Sequence, residues 1–132
     1  MAGEKDLKKL LTSLSPYLMD DDFVFCTIQN ARYGDYDELL PIASFCEDEG
    51  LTLLLKKENA DKAGFNYESV FKCIALQVHS SLDAVGLTAV VSSKLAAMGI
   101  SANVIAAYYH DYIFVPAGKG DVALSVIKQI SR

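Results

Sequence analysis

The residues best placed to do chemistry lie in one stretch, SSLDAVGLT (80–88), between an apolar run and a run with helical spacing. Ser80, Ser81 or Asp83 can accept hydrogen bonds from the free N–H groups that open a helix, and Ser80-x-x-Asp83 has capping-box spacing. Gly86 then falls in the first turn, where a missing side chain lets another group approach the backbone. Helix starts attract anions through those N–H groups and through a dipole worth about half a positive charge. Two readings stay open: plain capping with close helix–strand packing, or a seat for a ligand carboxylate.

Other chemistries fit the residues poorly. A phosphate loop needs GxxxxGK followed by Ser or Thr, and a dinucleotide fingerprint needs GxGxxG; neither occurs, and GKGD (118–121) reads as a polar turn into a helix. A nucleophile elbow needs GxSxG and a base. His79 precedes Ser80, but neighbours on a strand point to opposite faces. His79 and His110 form no HxH or HExxH pattern, so neither a metal nor any other cofactor is expected. Tyr108, Tyr109 and Tyr112 bracket a His110-Asp111 turn and suit either sheet packing or a ligand or partner contact. Asp20, Asp21 and Asp22 read as a solvated loop before a strand. With no nucleophile–base pair in view, catalysis is not expected.

The totals agree with a packed globule. The 132 residues are 52% hydrophobic and 22% charged, with a net charge of −5. That acidic balance, without a Lys/Arg stripe, disfavours nucleic acid and anionic membrane surfaces. No apolar run approaches the roughly 20 residues that span a bilayer. MAGEKDLKKLLTSL alternates charge with leucine and does not read as a signal peptide. Cys26, Cys46 and Cys73 are odd in number, lack a CxxC and sit in apolar runs, which predicts buried thiols and a cytoplasmic location.

The elements that position these residues follow from periodicity. Leu7, Leu10, Leu11 and Leu14 predict an amphipathic helix over 4–14, stopped by Ser15-Pro16. Residues 22–29 read as a strand and 30–41 as a loop with one helical turn. Strands at 42–47 and 51–57 flank a hairpin turn at Asp48-Glu49-Gly50, and 58–64 reads as a short helix ended by glycine. Residues 69–79 read as a strand. Residues 84–98 read as a helix with Leu87, Val91, Leu95 and Met98 on one stripe and Gly99 at its end. Strands at 103–108 and 112–116 follow, and Asp121 caps a last helix with Ala123, Val126, Ile127 and Ile130 inward. LLLKKENADKA (53–63) lies over IFVPAGKGDVA (113–123) as a weak internal repeat, strand into polar loop into helix. The expected fold is α+β: two halves whose antiparallel sheets lie side by side, with helices on one face.

SLDAVGLTAVVSSKLAAMGISANVIAAYYHDYIFVP resembles the signature half of an ACT domain. The matching features are Asp83 and Gly86, the run from Leu95 to Gly99-Ile100, and the strand from Asp111 to Val115. The earlier half, with YLMDDDFVFCTI and EGLTLLL, resembles the divergent partner in two-ACT bacterial proteins. The resemblance implies two ferredoxin-like halves, a divergent ACT-like half at 1–66 with an N-terminal helix and an ACT domain at 67–132. It implies a regulatory module that binds a small molecule, usually an amino acid, where two domains meet. Carried over by position, the ligand-binding residues would be Ser80, Ser81, Leu82, Val85, Gly86 and Leu87 from the loop, with Asn103, Val104 and Ile105 from the second strand. The partners so implied are a small-molecule ligand, a second copy or a regulated enzyme. The alternative is an interaction or dimerisation module with no ligand.

Overall fold

The computed structural model describes residues 3, 5–77 and 84–131. The chain runs α1 (Leu7–Thr12), β1 (Pro16–Ile28), β2 (Ala43–Glu47), β3 (Gly50–Lys56), α2 (Lys57–Ala63), β4 (Phe71–Leu76), α3 (Leu87–Ala97), β5 (Asn103–Ala106), β6 (Asp111–Pro116) and α4 (Gly120–Ile130). Single 3₁₀ turns at Asp37–Leu39 and Ala117–Lys119 complete it. The strands are ordered β2-β3-β1-β4-β6-β5, and the β1–β3, β2–β3 and β5–β6 pairs are antiparallel. The α+β class read from the sequence holds.

The residues pack as two compact units that do not follow chain order. One takes Met1–Asp20 and Lys72–Arg132, the other Asp21–Phe71. In the first unit, Leu10 and Leu14 from the amino end join Leu87, Val91 and Leu95 of α3 and Ala123 and Ile127 of α4. These cover Ile74 and Leu76 of β4 and Ile113 and Val115 of β6. The period of the α3 side chains places Leu87, Val91 and Leu95 one turn apart on its inner face. The Gln77 N–H donates to the Ser15 carbonyl at 3.0 Å, tying the end of β4 to the lead-in of β1. In the second unit, Val24, Cys26, Leu51, Leu53 and Leu55 alternate along β1 and β3 and pack with Ala60 of α2. Here β2 and β3 form the expected hairpin, with Glu47 opposite Gly50. A side chain at Gly50 would meet the Ile28 carbonyl oxygen at 2.7 Å, which explains glycine there better than turn conformation does.

Helix ends are set locally. Asp6 caps α1, accepting from the Lys8 and Lys9 amides at 3.0 and 3.3 Å. Gly64 and Gly99 take left-handed backbone after α2 and α3. Behind α3 the Gly99 N–H donates to the Ala96 carbonyl and the Ile100 N–H to Leu95, burying Ile100 beside Leu95.

Several expectations are corrected. The acid run is not a loop: Asp20, Asp21 and Asp22 lie inside β1, and Asp21 pairs with Lys56 at 3.4 Å. Asp121 does not cap α4. The 3₁₀ turn runs straight into the helix, the cap position belongs to Lys119, and no side chain caps it. Met98 falls beyond the last turn of α3 and is exposed, because the stripe ends at Leu95. Cys46 is exposed on β2, while Cys26 and Cys73 are buried as expected.

Burial raises the Cys73 thiol to about 12 against a backbone hydrogen bond with Ile113 that favours the thiolate. Burial, then the Asp61 charge, also raises Cys26. Iodoacetamide added to the folded chain near neutral pH will therefore modify Cys46 and spare the other two, since the thiolate is the nucleophile. Peptide mapping checks this, and equal labelling of all three would contradict it.

Candidate functional site

The head of α3 is built around Gly86. The helix opens at Leu87, three residues later than its periodicity suggested, so Gly86 is the residue before the first turn rather than within it. Its backbone is left-handed, with φ 100° and ψ −16°, and its carbonyl accepts from the Val90 amide at 3.0 Å. The N–H groups of Leu87, Thr88 and Ala89 have no carbonyl within the helix to donate to, and the helix dipole adds positive potential there. Ser80, Ser81, Leu82 and Asp83, with His79, lie outside the described residues, and so does the capping expected of Ser80 and Asp83.

The direction in which a Gly86 side chain would point is already occupied. A β-carbon there would stand 3.0 Å from Leu7 Cδ2 of α1. The close approach anticipated at this glycine is made by the protein's own leucine. Leu7 lay on the predicted α1 stripe, but nothing in its spacing named Gly86 as its partner. Val85 is 82% exposed, whereas Leu87 is buried in the core.

The second-strand residues are divided between faces. Val104 sits opposite Ile113 and packs on the first unit's core. Asn103 and Ile105 sit opposite Phe114 and Tyr112 on the other face. Among the described residues β5 is an edge strand, with no strand beside its outer backbone groups in the sheet order.

The β5–β6 turn differs from the sequence reading. Asp111 is not in the turn: it opens β6 opposite Ala106 and is only 7% exposed. The Ala107 N–H closes the turn on the His110 carbonyl at 3.0 Å, and the Tyr108 and Tyr109 rings stack edge-on with centroids 5.0 Å apart. His110 Nδ1 is buried without a hydrogen-bond partner among the described residues, its ring edge-on to Tyr112 at 6.4 Å. Burial raises the Asp111 carboxyl, partly opposed by the His110 charge.

An acid whose folded-state pKa is raised binds more protons folded than unfolded, so stability falls as pH rises from its ordinary value through the folded one. Asp111→Asn should thus be neutral in acid and stabilising at neutral pH. Urea midpoints for both proteins at pH 4 and pH 7 check this, and a variant weaker at pH 7 would contradict it.

Two further clusters complete the polar inventory. On α2, Asp61 accepts from Lys57 at 2.9 Å and from the Tyr67 hydroxyl at 2.7 Å, a solvated network whose two donors, Lys57 first, hold the carboxyl below its ordinary range. Asn59 Nδ2 donates to the Leu39 carbonyl at 3.0 Å, fastening the long loop before β2. Among the described residues no three His, Cys, Asp or Glu side chains gather as a metal set. No helix of the described residues is long and apolar enough to cross a membrane.

Two family models, both described as ACT domain, match residues 2–72 and 68–129. A protein of unknown function from Vibrio cholerae, described as a possible transport protein, is 52% identical and superposes with a TM-score of 0.87, covering 97% of this chain and 98% of that one. A protein from Agrobacterium tumefaciens is 12% identical with a TM-score of 0.73, covering 89% of each chain. The regulatory subunit of aspartate kinase from Thermus thermophilus, in its ligand-free form, is 12% identical with a TM-score of 0.66 over 91% of this chain and 97% of that one. At those identities the last two show a shared fold. Comparison with curated proteins gives no match.

Proposed function

Because the chain belongs to the ACT-domain family, we propose that it is a regulatory module that binds a small molecule, an amino acid, and has no catalytic activity of its own. The observation that carries this reading is Gly86: left-handed and without a side chain, it heads a helix of 11 residues whose first amides face outward along the axis. Leu7 lies in the side-chain direction at Gly86, and a ligand carboxylate would instead approach the first amides of α3 along the helix axis. Ser80, Ser81, Leu82 and Val85 would flank the ligand. The backbone at Asn103, Val104 and Ile105 would take its ammonium group. Occupancy would stiffen the loop before α3, and a second copy or a regulated cytoplasmic enzyme would read the change as a population shift. The fold shared with an aspartate kinase regulatory subunit supports this reading.

The Leu7–Gly86 contact also favours a second reading, in which α1 simply completes the packing and the module serves interaction without a ligand. A thermal-shift screen against the twenty amino acids separates the two. A ligand that binds only the folded state adds about 2.7 kcal/mol at a hundredfold excess over Kd. A rise with one amino acid is expected. No rise with any, together with self-association at micromolar concentration, would favour the second reading.

A further inference from the structure

We propose that the free edge of β2 is a docking site for an extended segment of a partner protein in which Lys or Arg alternates with apolar residues. The inference rests on the second unit alone and is independent of any ligand at α3.

β2 stands first in the strand order, so among the described residues one side of its backbone has no strand beside it. Four of its five residues are exposed, Phe45 to 71%. Leu40 and Ile42 lead into the strand and are also exposed, as is Tyr33 at 81% in the preceding loop. Edge strands are commonly guarded by charged side chains, lysine above all, or by proline; the one charged residue within Ala43–Glu47 is Glu47, at its end. What flanks this strand is acid. Asp35, Asp37 and Glu38 precede it and Glu47, Asp48 and Glu49 follow it, all exposed, and Arg32 is the one cation between Asn30 and Gly50.

That arrangement selects the occupant. An added strand gains affinity from main-chain hydrogen bonds and specificity from alternate side chains. One row of its side chains would cover Phe45, and basic residues would meet the acids at both ends. A second copy fits less well, because each chain carries a net charge of −5 and brings the same acidic flanks to the junction.

The test uses the full chain and a synthetic peptide of about eight residues alternating Lys and Val, with a Glu–Val peptide as counterpart. Hydrogen exchange should slow at residues 43–47 with the Lys–Val peptide only. Glu38→Lys with Glu49→Lys should weaken binding about tenfold or more, as should raised salt. Phe45→Ser should weaken it without changing the salt dependence, an independent check should the charge variant fold poorly. Equal protection by the Glu–Val peptide, protection elsewhere instead of at 43–47, or a dimer by light scattering with β2 protected before any peptide is added would each overturn the proposal.

Discussion

Gly86→Val will lower the thermal midpoint and abolish any rise produced by an amino acid. Two physical effects combine. A β-branched residue at φ 100° is strained by about 1–3 kcal/mol, and its first carbon would also press on Leu7 Cδ2 at 3.0 Å. Relief of either contact moves the head of α3 and with it the amides proposed to hold the ligand. Leu7→Ala in the Gly86→Val background should restore part of the stability, because it removes the steric contact and leaves the backbone strain. Should the valine variant prove too unstable, Gly86→Ala gives the same sign at smaller size. Thermal melts with and without amino acid read both effects. An unchanged midpoint would show that the left-handed residue is not needed, and a retained ligand response would remove the site from Gly86.

Leu95→Ala should be a severely damaging truncation in the first unit, at about 3 kcal/mol or more. Leu95 is fully buried among Leu10, Ile74, Val91 and Ile127, and its carbonyl accepts the Ile100 amide that folds the chain back after α3. Small domains have only about 5–15 kcal/mol of stability in total, so this loss is a large share. Urea unfolding followed by circular dichroism measures it. Met98→Ala, one turn further along but exposed, should change stability by less than about 0.5 kcal/mol. Equal losses at the two positions would mean that the inner face of α3 has been misassigned.

What could be read from the sequence was whatever local chemistry determines. Gly64 and Gly99 marked helix ends because a left-handed residue is needed there, and Leu87, Val91 and Leu95 marked the inner face of α3 by their spacing. β1 was longer than expected because its acids reside on a strand of which only Phe23, Val24 and Cys26 are fully buried, leaving no alternation over the first residues to read. Asp121 looked like a cap because the 3₁₀ turn before α4 has no signature that separates it from an ordinary loop. The packing of the amino end with Lys72–Arg132, and of Leu7 against Gly86, depends on contacts between residues far apart in the chain. Around the candidate site, the glycine at the head of α3 and the strand β5 were legible as local structure. The contact with Leu7 was not, since a stripe of leucines tells which way a helix faces and not what it faces.

The ligand-binding reading is tested most directly by amide NMR shifts as the amino acid giving the largest thermal rise is titrated in. The account predicts that the amides of Leu87, Thr88 and Ala89 move together with those of Asn103, Val104 and Ile105, saturating at a single Kd. Movement confined to other parts of the chain, with those amides unchanged, would contradict it.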